Sequence, residues 1–407
     1  MTEYRITRLG HQGDGIAAGP VFAPMTLPGE VVTGTHNGDR LSEVRIVKPS
    51  ADRVSPVCRH YKACGGCQVM HASDAFVAEW KIEVVRAALA AQGIEANFRP
   101  ILTSPPKSRR RAAFSVRRTK KGALAGFHAR ASDTVIEIPD CQLLRPELLE
   151  ALPLAEALAV SGASRKGELT VQVTHSHGGL DVLVTEGKPL DGPLRMALAA
   201  EVERFRPARL VWGDELVGMR QSPFQQFGST RVVPPPGAFL QATAEGEAAL
   251  LSAVTEAVGG AARIVDLFAG CGTFALPLAQ HAEVHAVESE SDMLKALDHG
   301  WRQASGLKRV STEARDLFRR PLLPDELKGF DAAVIDPPRA GAEAQVLELA
   351  KAGIDRIAFV SCNPVTFARD AKTLLTSGYR LEWVQVVDQF RWSTHVELAA
   401  AFAAPHI

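Results

Sequence analysis

The sequence predicts an α/β protein of two or three domains whose C-terminal part contains a doubly wound, mostly parallel sheet. At 407 residues the chain is too long for one compact core. After Ala248, apolar strands alternate with helices, as in a parallel sheet that helices cover on both faces. Short apolar runs between Gly and Pro residues at the N-terminus indicate a small β-barrel. A mixed α+β region lies between them, which gives domains at residues 1–52, 53–238 and 239–407.

The first two domains are predicted to combine short strands with one long helix. The barrel strands are expected at the apolar runs 21–23, 31–32 and 44–47. Residues 74–92 carry apolar side chains at intervals of three and four and predict an amphipathic helix, which we expect to pack on the C-terminal domain. Further on, ELTVQVTHS and GGLDVLVTEG predict a pair of strands, and the proline run 234–236 marks the next domain boundary.

The C-terminal domain is predicted from segments that alternate between strand and helix. The strands are ARIVDLF, EVHAVES, FDAAVIDPP and RIAFVSC. The helices are TFALPLAQHA, DMLKALDHGWRQAS and AEAQVLELAKAG. Apolar strands separated by helices of this length indicate the doubly wound sheet.

Composition and charge exclude a membrane protein and leave a nucleic-acid partner open. No stretch approaches the roughly 18 consecutive apolar residues that a membrane span needs, and the N-terminus, MTEYRITRLGHQGDG, lacks the apolar segment of a secretory signal. Lys plus Arg equals Asp plus Glu at 46 each, so the net charge carries no information about RNA or DNA. We therefore expect a soluble, cytoplasmic protein that does not bind membranes.

A run of basic residues lies between positions 107 and 121. It contains no acidic residue and has the cations Lys107, Arg109, Arg110, Arg111, Arg117, Arg118, Lys120 and Lys121. Such a run is commonly a solvated charged face. Here Phe114, Val116 and Phe127 alternate with the charges as in a strand, so one face can pack while the other holds the cations. We therefore predict a hairpin that binds phosphate groups.

Four of the six cysteines predict a metal site. The six are Cys58, Cys64, Cys67, Cys141, Cys271 and Cys362. The first three lie within CRHYKACGGCQ and the fourth in PDCQLL, whereas the last two are far downstream. In a reducing compartment, clustered thiols indicate a metal site rather than disulfides. The C-x5-C-x2-C spacing suits zinc or an iron–sulfur cluster. His60 and His71 are either additional zinc ligands or ordinary surface histidines.

The first strand of the C-terminal domain leads into a glycine loop, DLFAGCGTFALPLA. Gly270, Gly272 and Ala275 form a G-x-G-x-x-A spacing, which lets the backbone approach a ligand closely. Glu288 follows Asp266 by 22 residues and is placed to accept hydrogen bonds from a ribose. The pattern also fits an NAD-binding half or a tight turn without a ligand.

Two further motifs follow strands of the same sheet. VIDPPRAG places Asp336 at the end of the predicted strand FDAAVIDPP, and VSCNP places Cys362 at the end of the predicted strand RIAFVSC. Because sheets of this kind bind ligands at the carboxyl ends of their strands, we expect both groups to converge on one crevice. Neither motif has a function in hydride transfer. The alternative for Cys362 is an inert, buried thiol at a strand end.

Together these motifs resemble the S-adenosylmethionine-dependent RNA 5-methyluridine (uracil-5-)-methyltransferases, particularly the bacterial 23S ribosomal RNA members. The resemblance covers almost the whole chain and depends on CRHYKACGGCQ, DLFAGCGTF, DPPRAG, SCNP and HVE. It implies a Rossmann-like class I methyltransferase domain, an N-terminal TRAM (OB-like) barrel and a central domain with a 4Fe-4S cluster. The implied cluster ligands are Cys58, Cys64, Cys67 and Cys141.

The resemblance also assigns roles to single residues. It implies Cys362 as the nucleophile and Glu397, in THVELAAAF, as the base. The implied S-adenosylmethionine site consists of Gln241, Phe268, Gly270, Glu288, Asp316 and Asp336. The basic run supplies the predicted RNA-binding residues Arg109, Arg110, Arg111, Arg117 and Arg118. Where many relatives have asparagine, this chain has Thr273 in the glycine loop and Ala242-Thr243 after FLQ, so we assign no direct contact to those positions.

The chemistry of uracil explains why a thiol is needed. Carbon 5 is a poor nucleophile, and a thiolate that adds to carbon 6 supplies the missing electron density. Amino-group methyltransferases usually have an aromatic residue where this chain has Arg339, and the 5-methylcytosine RNA enzymes carry a second cysteine that DPPRAG lacks. Uracil is therefore the expected base.

The expected function is methylation of carbon 5 of a uridine in 23S ribosomal RNA, with S-adenosylmethionine as methyl donor. The alternatives are the same reaction on transfer RNA, an NAD-linked iron–sulfur oxidoreductase, and a non-catalytic RNA-binding protein. RNA is the only partner expected, and the protein is expected to be a monomer. Because methyl transfer through a thiolate needs no electron carrier, we expect the cluster to organise the central domain and its RNA surface.

Overall fold

The computed structural model describes residues 2–19 and 21–405 of the chain. The strands are β1 (Tyr4–Leu9), β2 (Gly15–Ala17), β3 (Val21–Ala23), β4 (Val31–Asn37), β5 (Arg40–Lys48), β6 (Leu102–Thr103), β7 (Arg111–Arg118), β8 (Ala123–His128), β9 (Val135–Glu137), β10 (Glu168–Ser176), β11 (Gly179–Thr185), β12 (Arg209–Trp212), β13 (Glu215–Met219), β14 (Gln225–Phe227), β15 (Thr230–Val232), β16 (Arg263–Leu267), β17 (Glu283–Glu288), β18 (Val310–Ala314), β19 (Ala332–Ile335), β20 (Arg356–Ser361), β21 (Arg380–Asp388) and β22 (Glu397–Ala403). The helices are α1 (Asp74–Ala90), α2 (Pro146–Leu149), α3 (Leu152–Gly162), α4 (Gly192–Phe205), α5 (Ala244–Val258), α6 (Ala275–Leu278), α7 (Ser291–Gln303), α8 (Pro324–Leu327), α9 (Glu343–Ala352) and α10 (Pro364–Thr376).

The N-terminal strands close into a small barrel in the order β1-β2-β3-β5-β4. Its core consists of the buried side chains Ile6, Ala17, Val21, Ala23, Val32 and Leu41. Gly15 lies at a close approach, where a Cβ atom would be only 2.1 Å from the Oγ1 of Thr26. The barrel expected from the glycine- and proline-rich sequence is present, and it includes two strands, β1 and β2, that the apolar runs did not indicate.

The central segment contains a seven-stranded sheet in the order β13-β12-β11-β10-β7-β8-β9. Its neighbouring strands are antiparallel except for β11 and β12. Helices α3 and α4 pack together, α3 against β7 and β8 and α4 against β13. The core between them includes Phe114, Leu158, Val171, Val182 and Leu198. The predicted strand pair is β10 and β11, and the basic run contains β7 and the turn that joins it to β8 in a hairpin.

The C-terminal segment is built on an eight-stranded sheet in the order β18-β17-β16-β19-β20-β22-β21-β6. The strands from β18 to β20 are parallel, whereas β22 is antiparallel to both of its neighbours. Helices α5 and α7 belong to the core on one face, and α1, α9 and α10 to the core on the other. The strand order reverses between β16 and β19, and the crevice outside that point is where such sheets bind ligands.

One predicted helix of this segment is shorter than expected. TFALPLAQHA was predicted to be helical throughout, but only α6 (Ala275–Leu278) is. The chain then tightens into turns in which the N–H groups of Gln280 and His281 each bond to a carbonyl three residues back. These turns lead directly into β17.

Helix α1 joins the central segment to the C-terminal sheet. Ser73 caps its N-terminus by accepting a hydrogen bond from the Phe76 N–H, and the helix packs against α10 and β21. On its buried face Lys81 has no exposed surface, and its Nζ lies 2.6 Å from Asp388 Oδ1 at the end of β21. Strand β6 adds to the same junction by pairing with β21. In the described part of the chain, no helix has the length and apolar character needed to span a membrane.

Candidate active site

The crevice at the carboxyl ends of the parallel strands contains the thiol and the two carboxyl groups that the sequence singled out. Asp336 directly follows β19, Cys362 directly follows β20, and Glu397 begins β22. All three line one cavity of about 810 Å³. The topology brings them together because β22 lies beside β20 and runs in the opposite direction, so its first residue is at the edge where β20 ends.

Cys362 lies just before helix α10, whose N-cap residue Asn363 accepts a hydrogen bond from the Val365 N–H. The Asn363 side-chain amide donates to the carbonyl of Arg339, at 2.8 Å, which ties the two strand-end motifs together. Burial and the negative charges of Glu397 and Asp336 raise the pKa of Cys362 to about 11, and the nearby Arg339 opposes that rise. In the free protein the thiol is therefore protonated at neutral pH.

The two carboxyl groups beside this thiol favour their protonated forms. Glu397 is 3% exposed, and burial together with the charge of Asp336 raises its pKa well above the usual value. Burial also raises the pKa of Asp336. Gln241 reaches this pair through its Nε2 atom, which lies 3.4 Å from Asp336 Oδ2. Carboxyl groups with raised pKa are strong enough bases to take part in proton transfer near neutral pH.

The glycine loop forms the adjoining wall of the cavity. Phe268 and Gly270 adopt positive φ angles of 63° and 54°, which turn the backbone towards the crevice. The Gly270 N–H donates to Glu288 Oε2 at 3.0 Å, and the Ser289 N–H donates to Glu288 Oε1 at 2.6 Å, so the Glu288 carboxylate is fixed at the end of β17. At Gly272 a Cβ would contact Leu297 and Leu276 at under 3.0 Å, so this position requires glycine for packing.

An aromatic and acidic region completes this half of the cavity. The rings of Phe268 and Phe318 lie 5.5 Å apart, and Asp316 Oδ1 accepts a hydrogen bond from the Phe318 N–H at 3.0 Å. Every residue predicted for the cofactor therefore lines the same cavity as Cys362 and Glu397. These residues are Gln241, Phe268, Gly270, Glu288, Asp316 and Asp336.

The sequence did not predict that the other walls come from the central segment and from the loop between β21 and β22. From the central segment, the lining residues are Gly65, Gly66, Gln68, Arg109, Phe127 and Leu143. From the loop, they are Phe390, Ser393 and His395. The N–H groups of Gln68 and Val69 both donate to the carbonyl of Trp392, so the two walls are joined directly. In the sequence, only the HVE motif indicated this loop, because it places His395 two residues before Glu397.

The four clustered cysteines lie behind this wall. Cys58, Cys64, Cys67 and Cys141 line one small cavity whose other walls include Tyr61, Met70, Ile138 and Leu143. Burial is the main cause of a raised pKa at Cys64, Cys67 and Cys141, and it raises the pKa of Cys67 to about 12. Within residues 2–19 and 21–405, no three His, Cys, Asp or Glu side chains are placed to hold a metal ion. The iron–sulfur cluster therefore stays a prediction.

The alternative histidine ligands have other partners. His60 Nε2 interacts with Asp140, and the His71 Nδ1 atom is hydrogen-bonded to the Tyr61 hydroxyl at 2.6 Å. Burial lowers the pKa of His71 to about 4, so this histidine is neutral at physiological pH.

Two positions without an assigned role prove to be structural. Thr243 caps helix α5 by accepting a hydrogen bond from the Gly246 N–H at 2.9 Å, and its hydroxyl also bonds to Ser104. Cys271 is 1% exposed within the core of the C-terminal sheet, and burial raises its pKa to about 12. Unlike Cys362, Cys271 does not line the active-site cavity, and a thiol enclosed in the core is inaccessible to a substrate.

The basic run requires a correction at Arg110. This residue was predicted to bind RNA phosphate, but it is 7% exposed and its guanidinium forms an ion pair with Glu247 and donates to the Gln241 carbonyl at 3.0 Å. Arg111 donates to the Leu240 carbonyl at 2.9 Å, and burial lowers its pKa to about 10. These two cations hold the backbone that carries Gln241 into the cavity.

The other members of the run lie nearer to solvent. Arg109 lines the cavity, Arg117 is paired with Glu168 on the surface of the hairpin, and Arg118 is half-buried at the end of β7. Lys120 and Lys121 at the hairpin turn are exposed. Cations for an RNA backbone are thus available at the hairpin tip rather than at its base.

Comparison with known proteins agrees with this geometry. A model of the tRNA (Uracil-5-)-methyltransferase family matches residues 233–403. An uncharacterized RNA methyltransferase of Brucella suis is 43% identical over 97% of this chain and 96% of its own length. The 23S rRNA (uracil(1939)-C(5))-methyltransferase RlmD of Shewanella piezotolerans is 32% identical over 98% of this chain and 94% of its own. The chain belongs to the RNA (uracil-5-)-methyltransferase family.

A solved structure extends the similarity to the fold of the whole chain. The Pyrococcus abyssi tRNA (uracil-54, C5)-methyltransferase, crystallised with S-adenosyl-L-homocysteine, aligns with a TM-score of 0.76 over 98% of this chain and 99% of its own, at 23% identity. Membership of the RNA (uracil-5-)-methyltransferases identifies the chain as an enzyme that acts on RNA. The NAD-linked oxidoreductase and the non-catalytic RNA-binding protein are therefore no longer competing explanations.

Proposed function

We propose that this RNA (uracil-5-)-methyltransferase transfers a methyl group from S-adenosylmethionine to carbon 5 of a uridine in 23S ribosomal RNA, through a covalent bond between Cys362 and carbon 6. The observation that carries the proposal is that Cys362, Glu397 and Asp336 line one cavity together with the predicted donor site. A nucleophile, a base and a donor site within one cavity are the components that this reaction requires.

In the proposed reaction the Cys362 thiol first releases its proton to solvent. Its thiolate then forms a bond to carbon 6, and the electrons of the 5,6 double bond move towards carbon 5 and the oxygen on carbon 4. S-adenosylmethionine supplies the methyl group to carbon 5 and leaves as the uncharged thioether. The Glu397 carboxylate then takes the proton from carbon 5. The double bond re-forms as the bond from sulfur to carbon 6 breaks, which returns Cys362 as a thiolate and leaves 5-methyluridine.

The residues around the thiol suit these steps. The N-terminus of helix α10 favours negative charge at Cys362, and Arg339 lowers the pKa of the thiol. Glu397 is buried beside the thiol, and its raised pKa makes it a stronger base than an exposed glutamate. A base held in this cavity is shielded from bulk water, which protects the covalent intermediate from side reactions.

The donor site is proposed at the glycine loop. Gly270 and the positive φ of Phe268 leave the backbone accessible to a ligand, because a Cβ at Gly270 would meet no atom within 4 Å. Glu288 and Asp316 offer carboxylate oxygens to ribose hydroxyls and to the adenine amino group. The Phe268 and Phe318 rings offer apolar surface to the adenine.

The choice of 23S ribosomal RNA rests on the relative from Shewanella, whose name specifies that substrate and which aligns with nearly the whole chain. Transfer RNA is the second candidate, because the matching family description and the Pyrococcus enzyme both name it. We also propose the three domains 1–52, 53–238 and 239–407. Because every residue invoked here comes from one chain, a monomer suffices.

We further propose that the clustered cysteines bind a 4Fe-4S cluster. Cys58, Cys64 and Cys67 come from one segment and Cys141 from another, and the cavity that they share is otherwise lined mainly by apolar side chains. This donor set fits a cluster, which takes four thiolates. The bound group would tie the two segments together and fix the nearby wall of Gly65, Gly66 and Gln68 in the active-site cavity.

The RNA is proposed to bind across the active-site cavity and the hairpin tip. Arg109 lines the cavity, and Arg117 and Arg118 lie on β7. The target base has to leave its stack to reach the thiol, which is common for enzymes that modify a base. Arg110 is not part of this surface, because its side chain is buried together with its partner Glu247.

Mapping of 5-methyluridine by mass spectrometry identifies the substrate. Ribosomal and transfer RNA are compared between wild-type cells and a strain that lacks this protein, and the purified protein is then supplied with each RNA. We expect one 23S site to lose its methyl group in the deletion strain and to regain it on incubation. If the deletion strain instead lacks 5-methyluridine at a transfer RNA site, transfer RNA is the substrate. An unchanged methylation pattern would contradict the function.

A further inference from the structure

Gln389, at the start of the loop between β21 and β22, connects the two halves of the active site. It is 1% exposed, and its Nε2 atom lies 2.6 Å from Gln241 Oε1 and 3.1 Å from Glu397 Oε2. Its Oε1 atom accepts a hydrogen bond from the Ala242 N–H at 2.8 Å. The side-chain amide is therefore fully engaged inside the protein.

The partners determine which way this amide points. A backbone N–H can only donate, so the atom that faces Ala242 must be the oxygen of Gln389. The NH2 group is then turned towards Glu397 and Gln241, and each of its two hydrogens has one acceptor. Gly246 reinforces this placement, because a Cβ there would lie 2.6 Å from the Cβ of Gln389. Close packing and three hydrogen bonds thus hold a single orientation.

This orientation has a consequence for the Glu397 carboxyl group. An amide NH2 group donates and cannot accept, so Glu397 Oε2 is held as an acceptor and cannot carry the proton on the side that faces Gln389. The other oxygen, Oε1, is left to take up a proton. The same hydrogen bond favours the carboxylate form and lowers the pKa of Glu397 against the effect of burial.

We propose that Gln389 is a positioning residue that holds Glu397 Oε2 and thereby presents Oε1 to the proton on carbon 5. Through its second hydrogen, the same amide fixes Gln241, which reaches Asp336 at 3.4 Å on the donor side. The base and the donor site are thus held by one side chain. This inference rests on the proposed function, because Glu397 is the base only in that reaction.

The reaction offers a way to distinguish positioning from a merely structural role. Uridine has a proton on carbon 5 that must be removed before Cys362 can leave, so a misplaced base lets the covalent protein–RNA species accumulate. 5-Fluorouridine has no such proton, and its adduct forms by thiol addition and methyl transfer without the base. A variant that is impaired only in proton removal will therefore react normally with fluorinated RNA.

The test uses Gln389→Met, which keeps the length of the side chain and removes the amide. The matched control is Gln385→Met on the preceding strand β21, where a buried amide donates to the Pro100 carbonyl away from the cavity. Purified variants receive S-adenosylmethionine and a 23S RNA transcript, either ordinary or substituted with 5-fluorouridine. Covalent species are measured on denaturing gels, and 5-methyluridine by mass spectrometry.

We expect Gln389→Met to form the 5-fluorouridine adduct like wild type, to release 5-methyluridine about 10- to 100-fold more slowly, and to accumulate the adduct on ordinary RNA. The control is expected to turn over normally without accumulation. Unchanged turnover of Gln389→Met overturns the inference. A parallel loss of both adducts overturns it as well, since that pattern indicates a structural role.

A second variant covers the case in which the methionine destabilises the protein. Gln389→Leu has a side chain of similar volume and can neither donate to nor accept from Glu397, so it should accumulate the same species. Normal turnover of this variant overturns the inference. If wild type itself forms no adduct with fluorinated RNA, the proposed function fails, and that outcome is distinct from either failure of Gln389.

Discussion

Arg110 gives the sharpest contrast between the charge pattern of the sequence and the position of the side chain. In the basic run it was one of several equivalent cations, whereas in the structure it joins the central segment to helix α5 through Glu247 and to the backbone of Gln241. We predict that Arg110→Met destabilises the protein strongly and leaves the salt dependence of RNA binding unchanged.

The size of the expected loss of stability follows from the burial of the ion pair between Arg110 and Glu247. The side chains of Arg110 and Glu247 are only 8% and 13% exposed, so solvent screens their interaction weakly. Removing one partner of such a pair costs about 3–5 kcal/mol. A second route gives a similar value, because protonating the stranded carboxyl group at pH 7 from an ordinary pKa of about 4.3 costs about 3.7 kcal/mol. The free energy of unfolding at pH 7 should therefore fall by about 3–5 kcal/mol.

The pH dependence of this loss has a definite sign. Burial raises the pKa of Glu247, and Arg110 opposes the rise, so the substitution raises that pKa further. A group whose pKa is higher in the folded state stabilises the protein below its unfolded pKa and loses that contribution as the pH rises. The penalty of Arg110→Met should therefore be small near the ordinary pKa of glutamate and grow towards neutral pH.

The assay combines urea unfolding, followed by tryptophan fluorescence at several pH values, with RNA binding over a series of salt concentrations. Lys121→Met is the matched control, because it removes one cation from the exposed hairpin tip and breaks no buried ion pair. A cation that contacts phosphate contributes about 0.7–0.9 to the slope of log affinity against log salt. Arg110→Met with unchanged stability and a slope reduced by that amount would refute the assignment of Arg110 to an internal ion pair.

Two further predictions concern the thiols. The rate at which iodoacetamide alkylates Cys362 in the free protein should still increase above pH 9, well past the usual thiol pKa of about 8.5, because burial and neighbouring carboxylates raise its pKa to about 11. Asp336→Asn should shift this pH profile to lower pH. The rate is measured by peptide mass spectrometry, and a profile with an ordinary thiol pKa would contradict the prediction. Cys64→Ser should lose iron, visible absorbance and RNA affinity, whereas Cys271→Ala should keep all three; a folded, fully active Cys64→Ser protein without iron would remove the structural role of the cluster.

The parallel sheet and the residues at its strand ends could be predicted from local sequence. Apolar strands alternating with helices determine a doubly wound sheet, and the carboxyl ends of its strands share one edge. Asp336 and Cys362 therefore lie near each other because of the sheet alone, independently of how the other domains fold. The glycine loop was predictable for the same reason, since it follows the central strand β16.

The contacts that were missed join residues far apart in sequence. Arg110 and Glu247 are 137 residues apart, and Gln389 and Gln241 are 148 apart. A run of cations gives the sign of the charge but not the partner, so a buried Arg and an RNA-binding Arg look alike in the sequence. Similarly, the VVDQF segment gave no signal that Gln389 would face the active site, because that depends on how β21 and α5 pack together.

The covalent adduct with RNA directly tests whether Cys362 is the nucleophile of the methyltransferase. Wild type, Cys362→Ala and Glu397→Gln are incubated with S-adenosylmethionine and a 5-fluorouridine-substituted 23S RNA transcript, and the denatured products are digested and analysed by mass spectrometry. We predict a cross-linked peptide that contains Cys362 in wild type and in Glu397→Gln, and none in Cys362→Ala. An adduct that persists in Cys362→Ala, or that maps to another cysteine, would contradict it.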